Sequence, residues 1–565
     1  MSSLTAGQAV IEALRVEGVR YIFGVVGSCY VEVLDALYAQ PDIQFMGVRH
    51  EQVAAHMADG YARVAGLPGV CLATNGPGAT NLVTGVASAY MNHAPVIVIT
   101  GAPMISQMLR DSFQELDQLT LFRPVTKAQL QIQRADRIPE LFRHAFRVAM
   151  AGKKGPVLVD LPRDMLNETI DATFLPPARY RWNQRDAGDT GLIGQAVEVL
   201  AQATRPVLIA GGGVIWSRAQ AEVLEVAERL TAPVVTSYGR NDAVPHDHPL
   251  VIGALGRAGS PEAAEAVRAA DAILAVGTRL THFTTFYDHR FIPPHAKIIQ
   301  IEVDEKELGR HYPLEVGILG DAKAVLNGLL AGLRKALADK RRDEARFATV
   351  QTLRQQRQAR VAAARNMDIV PLKPQRVYWE LRQILPRDAI VVLDAGAAAS
   401  HAYNLLDFYE ARTFITPGDL GCVGAGFPSA LGAKLARPDR PVVCLCGDGG
   451  FLMTGQDLET AVRERIPVVT VVMSNNCWGS EKAYQKYFFN ERYVGADFSN
   501  PRFDEYARLF GAQGLRAEKP EELRPTLEKA LGASIPTVVE IPVDPDELPF
   551  PARSDAVRSR DERVQ

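Results

Sequence analysis

The run Gly447-Asp448-Gly449-Gly450 closes an apolar stretch, PVVCLC, and Asn475 closes a second one 27 positions after Asp448. One helix fits between them. Two parallel strands that each end in an oxygen ligand place both oxygens at one sheet edge. A carboxylate, an amide oxygen and a backbone carbonyl are hard ligands that suit Mg²⁺, whose other positions go to water and phosphate oxygens. Gly449 and Gly450 let a phosphate approach backbone N–H groups near the start of the following helix. A glycine turn and an Asn turn without ligand are the alternative for either motif alone; their spacing favours a metal–phosphate site.

Other strand ends carry chemistry-bearing residues. Glu51 follows a strand in Arg49-His50-Glu51, and Ser28 and Cys29 end the first strand in GVVGSCYV. Taken by itself, Glu51 is equally a carboxylate at a helix N-terminus, facing the dipole. The glycines of GDLGCVGAGFP fall at 418, 421, 424 and 426, which is not G-x-G-x-x-G, and AGGGV at 210–214 fails as well. A nicotinamide dehydrogenase would need that fingerprint.

The elements that must position these residues recur along the chain. Short β-branched runs end in glycine or a polar turn, and a helical stretch follows each. YIFGVVG, IQFMGVRHE, GVCLATNGPG, APVIVITGAP and GPVLVDLP form one group, and RPVLIAGGG, APVVTSYG, DAILAVGTRL and AKIIQIEVD a second. DAIVVLDAG, RPVVCLCGDGG, IPVVTVVMSNN and IPTVVEIPVD form the third. Continuous apolar strands alternating with helices predict parallel sheets covered on both faces. The fold class is α/β, with three doubly wound parallel-sheet domains over residues 1–170, 188–338 and 372–550. In such sheets ligands bind beyond the carboxyl ends of the strands. Proline-rich DATFLPPARYRWNQRDAGDT and a charged, helix-like stretch at 338–370 separate the groups, and SDAVRSRDERVQ reads as a solvated tail.

Composition narrows the partners. Apolar residues are 47% and charged residues 22% of the 565, with a net charge of −3. That balance allows an ordinary core and gives no reason to expect nucleic acid or a membrane surface. No apolar run approaches the roughly 18 residues of a membrane span. The N-terminus reads as a cap and an amphipathic helix rather than a signal peptide. The six cysteines form no CxxC and read as core thiols of a cytoplasmic protein.

The GDG and the later Asn resemble the signature of thiamine diphosphate-dependent enzymes. Residues 71–103 and RHEQVAAHMADGYAR resemble the pyrimidine-binding domain of the acetolactate synthase group. The resemblance makes the three domains pyrimidine-binding, central and diphosphate-binding. It implies thiamine diphosphate and Mg²⁺ as cofactors, with Asp448, Asn475 and the Cys477 carbonyl as metal ligands. Gly421, Gly447, Gly449, Gly450, Trp478 and Gly479 fall in the cofactor-binding stretches. Glu51 would bond N1′ of the aminopyrimidine and favour the tautomer whose 4′-nitrogen takes the C2 proton, which is general acid–base work. Val423 stands where a bulky residue holds the cofactor in a V shape. Ser28 and Cys29 would line the reacting centre, Cys29 replacing a His found in some relatives. Gln114, in Phe113-Gln114-Glu115, would reach it as well. FAD is a further cofactor of the group, and no site for it is legible.

Trp478-Gly479-Ser480-Glu481-Lys482 is similar to sulfoacetaldehyde acetyltransferases, as are FQELDQLTLF, MNHAP and GTRLTHFTTF. GPGATN and VTK, with Lys127, lean to acetolactate synthase. Tyr484 stands where acetolactate synthases usually have Trp, and Ala397 and Ala398 replace a Gln-His pair. Either resemblance implies a small carbonyl substrate and an anionic acceptor; Lys482 and Arg123 could hold an anionic group, and lone surface cations explain both equally well. A catalytically silent regulatory or assembly subunit would be expected to lose Glu51, Asp448 or Asn475, and all three are present. Because Glu51 and Asp448 lie in different domains, the resemblance implies a homodimer or homotetramer with active sites between subunits.

Overall fold

Apolar runs of five or six residues with no polar alternation need cover on both faces, and each becomes a central parallel strand. The computed structural model describes residues 2–181, 185–338 and 341–551, without the side chains of Ser2 and Ala398; the charged C-terminal tail lies outside the described residues. Three six-stranded sheets form, each wholly parallel. Numbering the strands within each unit, the first and third sheets share the order 2-1-3-4-6-5, and the second runs 3-2-1-4-5-6. The third sheet places Ile390–Leu393, Val442–Gly447 and Val469–Ser474 side by side. Its strand order reverses between the first two of these, which opens a crevice at their carboxyl ends.

All thirteen apolar runs quoted above contain strands. Five strands of these three sheets were not expected: Ala128–Gln131, Val251–Ala254, Val316–Leu319, Phe414–Ile415 and Gln513–Arg516. Every one lies at a sheet edge, where a strand pairs on one side only and needs less apolar length. The N-terminal cap also holds a strand, Ser2–Thr5, paired antiparallel with Thr169–Ala172 in the stretch expected to be irregular. Thr5 then caps the helix Ala6–Val16 in a capping box. The charged stretch after the second unit contains the helix Glu344–Ala362. All six cysteines are free and buried. No helix among the described residues is long and apolar enough to cross a membrane.

The first and third units share one apolar core besides a core of their own in each, while the second keeps to itself. The helix Glu51–Ala65 lies against Gly426–Ala436 with backbones almost touching. A Cβ on Gly60 would lie 2.1 Å from Ser429 O, and one on Gly432 would lie 2.0 Å from Met57 O. Ser429 Oγ donates to His56 O at 3.3 Å and Arg63 Nη1 to Thr416 O at 2.8 Å. Glycine is required at this crossing because even a methyl group has no room. We predict that Gly432→Ala lowers the unfolding free energy by about 1–3 kcal/mol, read from the urea midpoint; an unchanged midpoint would mean the helices part without cost.

Candidate active site

Asp448 sits at the end of Val442–Gly447, buried, and its carboxylate needs donors. The neighbouring strand end supplies them. Oδ2 accepts from Asn475 N at 3.0 Å, Asn476 N at 2.6 Å and Asn500 Nδ2 at 3.0 Å, while Oδ1 accepts from Gly449 N at 2.9 Å. Burial pushes the carboxyl above its usual range, and the backbone N–H groups oppose that shift. Asn475 Oδ1 accepts only a long bond, 3.4 Å, from Cys477 N. The next residues are pinned by an antiparallel bridge between Cys477 and Asp497, with Trp478 N donating to Ala496 O at 2.8 Å. No described residue donates to the Cys477 carbonyl oxygen. The Cys477 thiol is pushed up to about 11 by burial.

On the other flank of Val442–Gly447, at the same edge, Asp394 follows the strand Ile390–Leu393 and shapes the glycine-rich loop. Its oxygens accept from Gly424 N at 3.0 and 3.1 Å and from Gly426 N at 3.2 Å. Burial raises its carboxyl to about 6. Gly450 lets Asp394 lie where a side chain would stand, since a Cβ there would be 2.1 Å from Asp394 Oδ2 and 3.5 Å from Val423 Cγ1. Val423 therefore stands directly against the GDGG loop. A Cβ on Gly396, Gly421 or Gly447 would meet nothing within 4 Å, so open space lies over all three.

These residues fit a divalent cation with a diphosphate. One carboxylate oxygen carries a single bond, one amide oxygen is weakly engaged, one carbonyl has no donor, and glycines border open space. No cluster of three His, Cys, Asp or Glu exists among the described residues; the donor set here is one carboxylate, one amide and one main-chain oxygen, which suits Mg²⁺. Asn500 and Asp394 were not singled out from the sequence. Asp394 ends an expected strand, which is a signal; Asn500 lies in a loop and has none.

In the first unit Glu51 opens the helix Glu51–Ala65, and Asn81 Nδ2 donates to its Oε2 at 2.9 Å. Gly78 leaves room for that carboxylate, since a Cβ there would lie 3.3 Å from Glu51 Oε1 and 2.8 Å from Thr74 Cγ2. Cys29 Sγ meets Thr74 Oγ1 at 3.1 Å. So Glu51, Thr74 and Cys29 share one strand-end neighbourhood. The thiol is buried and its pKa raised by that burial, and Gly101 must be glycine to admit it. Ser28 is exposed. Gln114 takes a left-handed backbone (φ 59°), and its carbonyl accepts from Asn75 Nδ2 at 2.9 Å. Every hydrogen bond to Asp448 comes from the third unit, and none among the described residues joins Glu51 to that site.

The remaining cations are mostly occupied. Lys482 pairs with Asp497 at 2.7 Å, and Lys127 donates to the Val148 and Ala151 carbonyls at 2.6 and 2.8 Å, closing the helix Ile138–Met150. Arg123 is exposed. Ala397 packs 3.0 Å from the Cβ position of Gly479. At the switch point of the second sheet a cavity of about 160 Å³ lies between Gly212 and Gly277, with Arg240 and Arg279 in its wall. Its place, at a switch point beyond strand carboxyl ends, is where open α/β sheets bind dinucleotides.

Fold and site together define an α/β protein whose candidate site lies at parallel strand ends, where glycines border open space. The chain belongs to the thiamine pyrophosphate enzyme family. Residues 4–121 match the N-terminal TPP binding domain of thiamine pyrophosphate enzymes, 193–329 the central domain, and 394–541 the C-terminal TPP binding domain. The chain is 37% identical to a probable acetolactate synthase large subunit of Methanocaldococcus jannaschii, over 96% of this chain and 93% of that one. It is also 37% identical to a sulfoacetaldehyde acetyltransferase of Alcaligenes xylosoxydans xylosoxydans, over 98% and 95%. Identity to the acetolactate synthase isozyme 3 large subunit of Escherichia coli is 35%, over 94% and 93%.

A Cβ on Gly449 would fall 2.6 Å from the Trp478 ring. Gly449→Ala is expected to displace that indole, shifting its fluorescence, and to weaken thiamine diphosphate binding about tenfold or more; titration with wild-type affinity would show the close approach is not needed.

Proposed function

We propose that the chain is a thiamine diphosphate- and Mg²⁺-dependent enzyme that breaks or forms a C–C bond next to a carbonyl, most like sulfoacetaldehyde acetyltransferase. The observation that carries the cofactor assignment is the Asp448 carboxylate beside the Asn475 amide and the Cys477 carbonyl at adjacent strand ends. When bound, thiamine diphosphate supplies the electron sink for the bond that breaks. Asp448, Asn475 and the Cys477 carbonyl would hold Mg²⁺, and through it the diphosphate. Asn500 keeps the Asp448 carboxylate turned, donating to its Oδ2 at 3.0 Å and to Asn476 Oδ1 at 2.9 Å. Val423 would bear on the middle of the cofactor. Glu51 would hold a proton at N1′ of the aminopyrimidine, its carboxylate oriented by Asn81 Nδ2. Gln114, Ser28 and Cys29 would lie around the reacting carbonyl, Cys29 by shape, since its thiol is buried against Thr74. Because no bond within one chain joins Glu51 to the Asp448 site, a second copy of the chain would complete each site, giving a homodimer or homotetramer.

The acetyltransferase reading rests on Trp478 and the residues that follow it. Trp478 lies over Gly449, and Lys482 is locked to Asp497 by an ion pair and to the Tyr493 ring at 4.9 Å. In this reading sulfoacetaldehyde and phosphate give acetyl phosphate and sulfite. An acetolactate synthase-like decarboxylase and carboligase is the second reading, favoured by the equal identity to those large subunits; Tyr484 in place of Trp weighs against it. A donor and acceptor screen with Mg²⁺ and thiamine diphosphate separates them. Acetyl phosphate and sulfite from sulfoacetaldehyde support the first reading, and acetolactate from pyruvate supports the second; neither product from either donor overturns both.

Asn500→Ala is expected to weaken Mg²⁺ binding about 10–100-fold, the usual cost of losing a partner behind a metal ligand. The measurement is Mg²⁺-dependent retention of thiamine diphosphate at equilibrium. Wild-type affinity in the variant would remove Asn500 from the site.

A further inference from the structure

Asp160, on the strand Val157–Pro162, is a buried carboxylate with no part in the chemistry described so far. Three neutral side chains donate to it. Thr100 Oγ1 and Gln118 Nε2 meet its Oδ1 at 2.7 and 2.6 Å, and Gln131 Nε2 meets its Oδ2 at 2.9 Å. Thr100 and Gln131 stand on the strands to either side, Val96–Ala102 and Ala128–Gln131. Gln118 opens the helix Gln118–Phe122. A buried charge is costly without such donors, and donors from three elements fix where it lies.

Gln118 passes that position on. Its Nε2 also donates to Gly101 O at 2.9 Å. Two acceptors on the nitrogen side turn the amide oxygen the other way, and Oε1 accepts from Gly76 N at 3.0 Å. Gly76 precedes the helix Pro77–Asn92, so its N–H has no partner within that helix. Its φ is 64°, and a Cβ on it would fall 2.7 Å from Gln114 O. Beside it, Asn75 Nδ2 donates to Gln114 O at 2.9 Å and to Phe113 O at 3.3 Å. The turn at 74–78 therefore seats the main chain of Gln114. The same turn sets Thr74 beside Cys29 and Gly78 beside Glu51. The segment at 103–117 needs that seat: it holds one short helical turn, Ile105–Gln107, and leaves Leu109 and Phe113 exposed.

We propose that Asp160 and Gln118 are a pair of positioning residues for Gln114. Asp160 sets the way the Gln118 amide faces, and Gln118 holds the turn on which Gln114 is seated. Asn at 160 would offer one oxygen to three donors, and the released Gln118 amide could then turn its NH₂ towards Gly76 N. The effect on turnover rests on the function proposed above; the tie between the two segments does not.

Hydrogen exchange of the full-length protein, read by mass spectrometry over peptides 74–82 and 104–117, tests the tie. Gln118→Met is expected to speed exchange in both peptides about tenfold or more. Asp160→Asn is expected to do the same, and the double variant to add little to either, because both act through one amide. On sulfoacetaldehyde with phosphate, or on pyruvate, Gln118→Met is expected to lower kcat about tenfold to a hundredfold. Exchange of the cofactor's C2 proton, which is assigned to Glu51, is expected to stay within about twofold of wild type. Unchanged peptide exchange in variants of wild-type melting temperature overturns the proposal, as do effects that simply add in the double variant. Faster peptide exchange with unchanged kcat, or kcat and C2 exchange lost in equal measure, overturns the role at Gln114. Failure of the cofactor assignment appears instead as no C2 exchange on the wild-type protein, and the peptide exchange then still decides the tie.

Discussion

The structure turns on a carboxylate buried at a strand end. Asp448 cannot stay charged in an apolar sheet edge without donors, and the adjacent strand delivers them through Asn475 N and Asn476 N. That requirement sets the register, with Gly447 opposite Met473, so both chains turn at the same level. The same turns leave one oxygen of Asp448, the Asn475 amide and the Cys477 carbonyl with little else to bond. Satisfying a buried charge and leaving three oxygens open at one sheet edge are one act of geometry here.

A similar economy governs the crevice beside it. Asp394 holds the glycine-rich loop by its backbone N–H groups, so Val423 is fixed by a carboxylate rather than by packing alone. Gly450 and Gly449 are required by their neighbours, Asp394 on one side and Trp478 on the other. The first and third units carry the same strand order and meet along helices whose backbones touch at glycines. The unit bearing Glu51 is therefore held rigidly against the unit bearing Asp448, while the two carboxylates share no bond in one chain.

Much of this was legible in the sequence because central parallel strands are apolar throughout and end abruptly. PVVCLC and IPVVTVVMS announce themselves, and Asp448 and Asn475 stand at their ends. Edge strands such as Gln513–Arg516 and Ala128–Gln131 gave no such run, since one side of each faces no partner. Asn500 and Asn81 act through a side chain that reaches another element, and sequence spacing carries no trace of that. Cys29 was placed at a strand end from the sequence; its burial between Thr74 and Gly101 emerges only from packing. Lys482, a candidate for an anion, is occupied by Asp497.

The central claim is that Glu51 acts on a thiamine diphosphate anchored at Asp448. Exchange of the cofactor's C2 proton for deuterium, quenched and read by NMR, needs no knowledge of the substrate. The account predicts fast exchange on the wild-type protein with Mg²⁺ and exchange slowed by about 10²–10⁴-fold in Glu51→Gln, the range of general acid–base catalysis. Equal exchange rates in the two proteins, with cofactor bound to both, would contradict it.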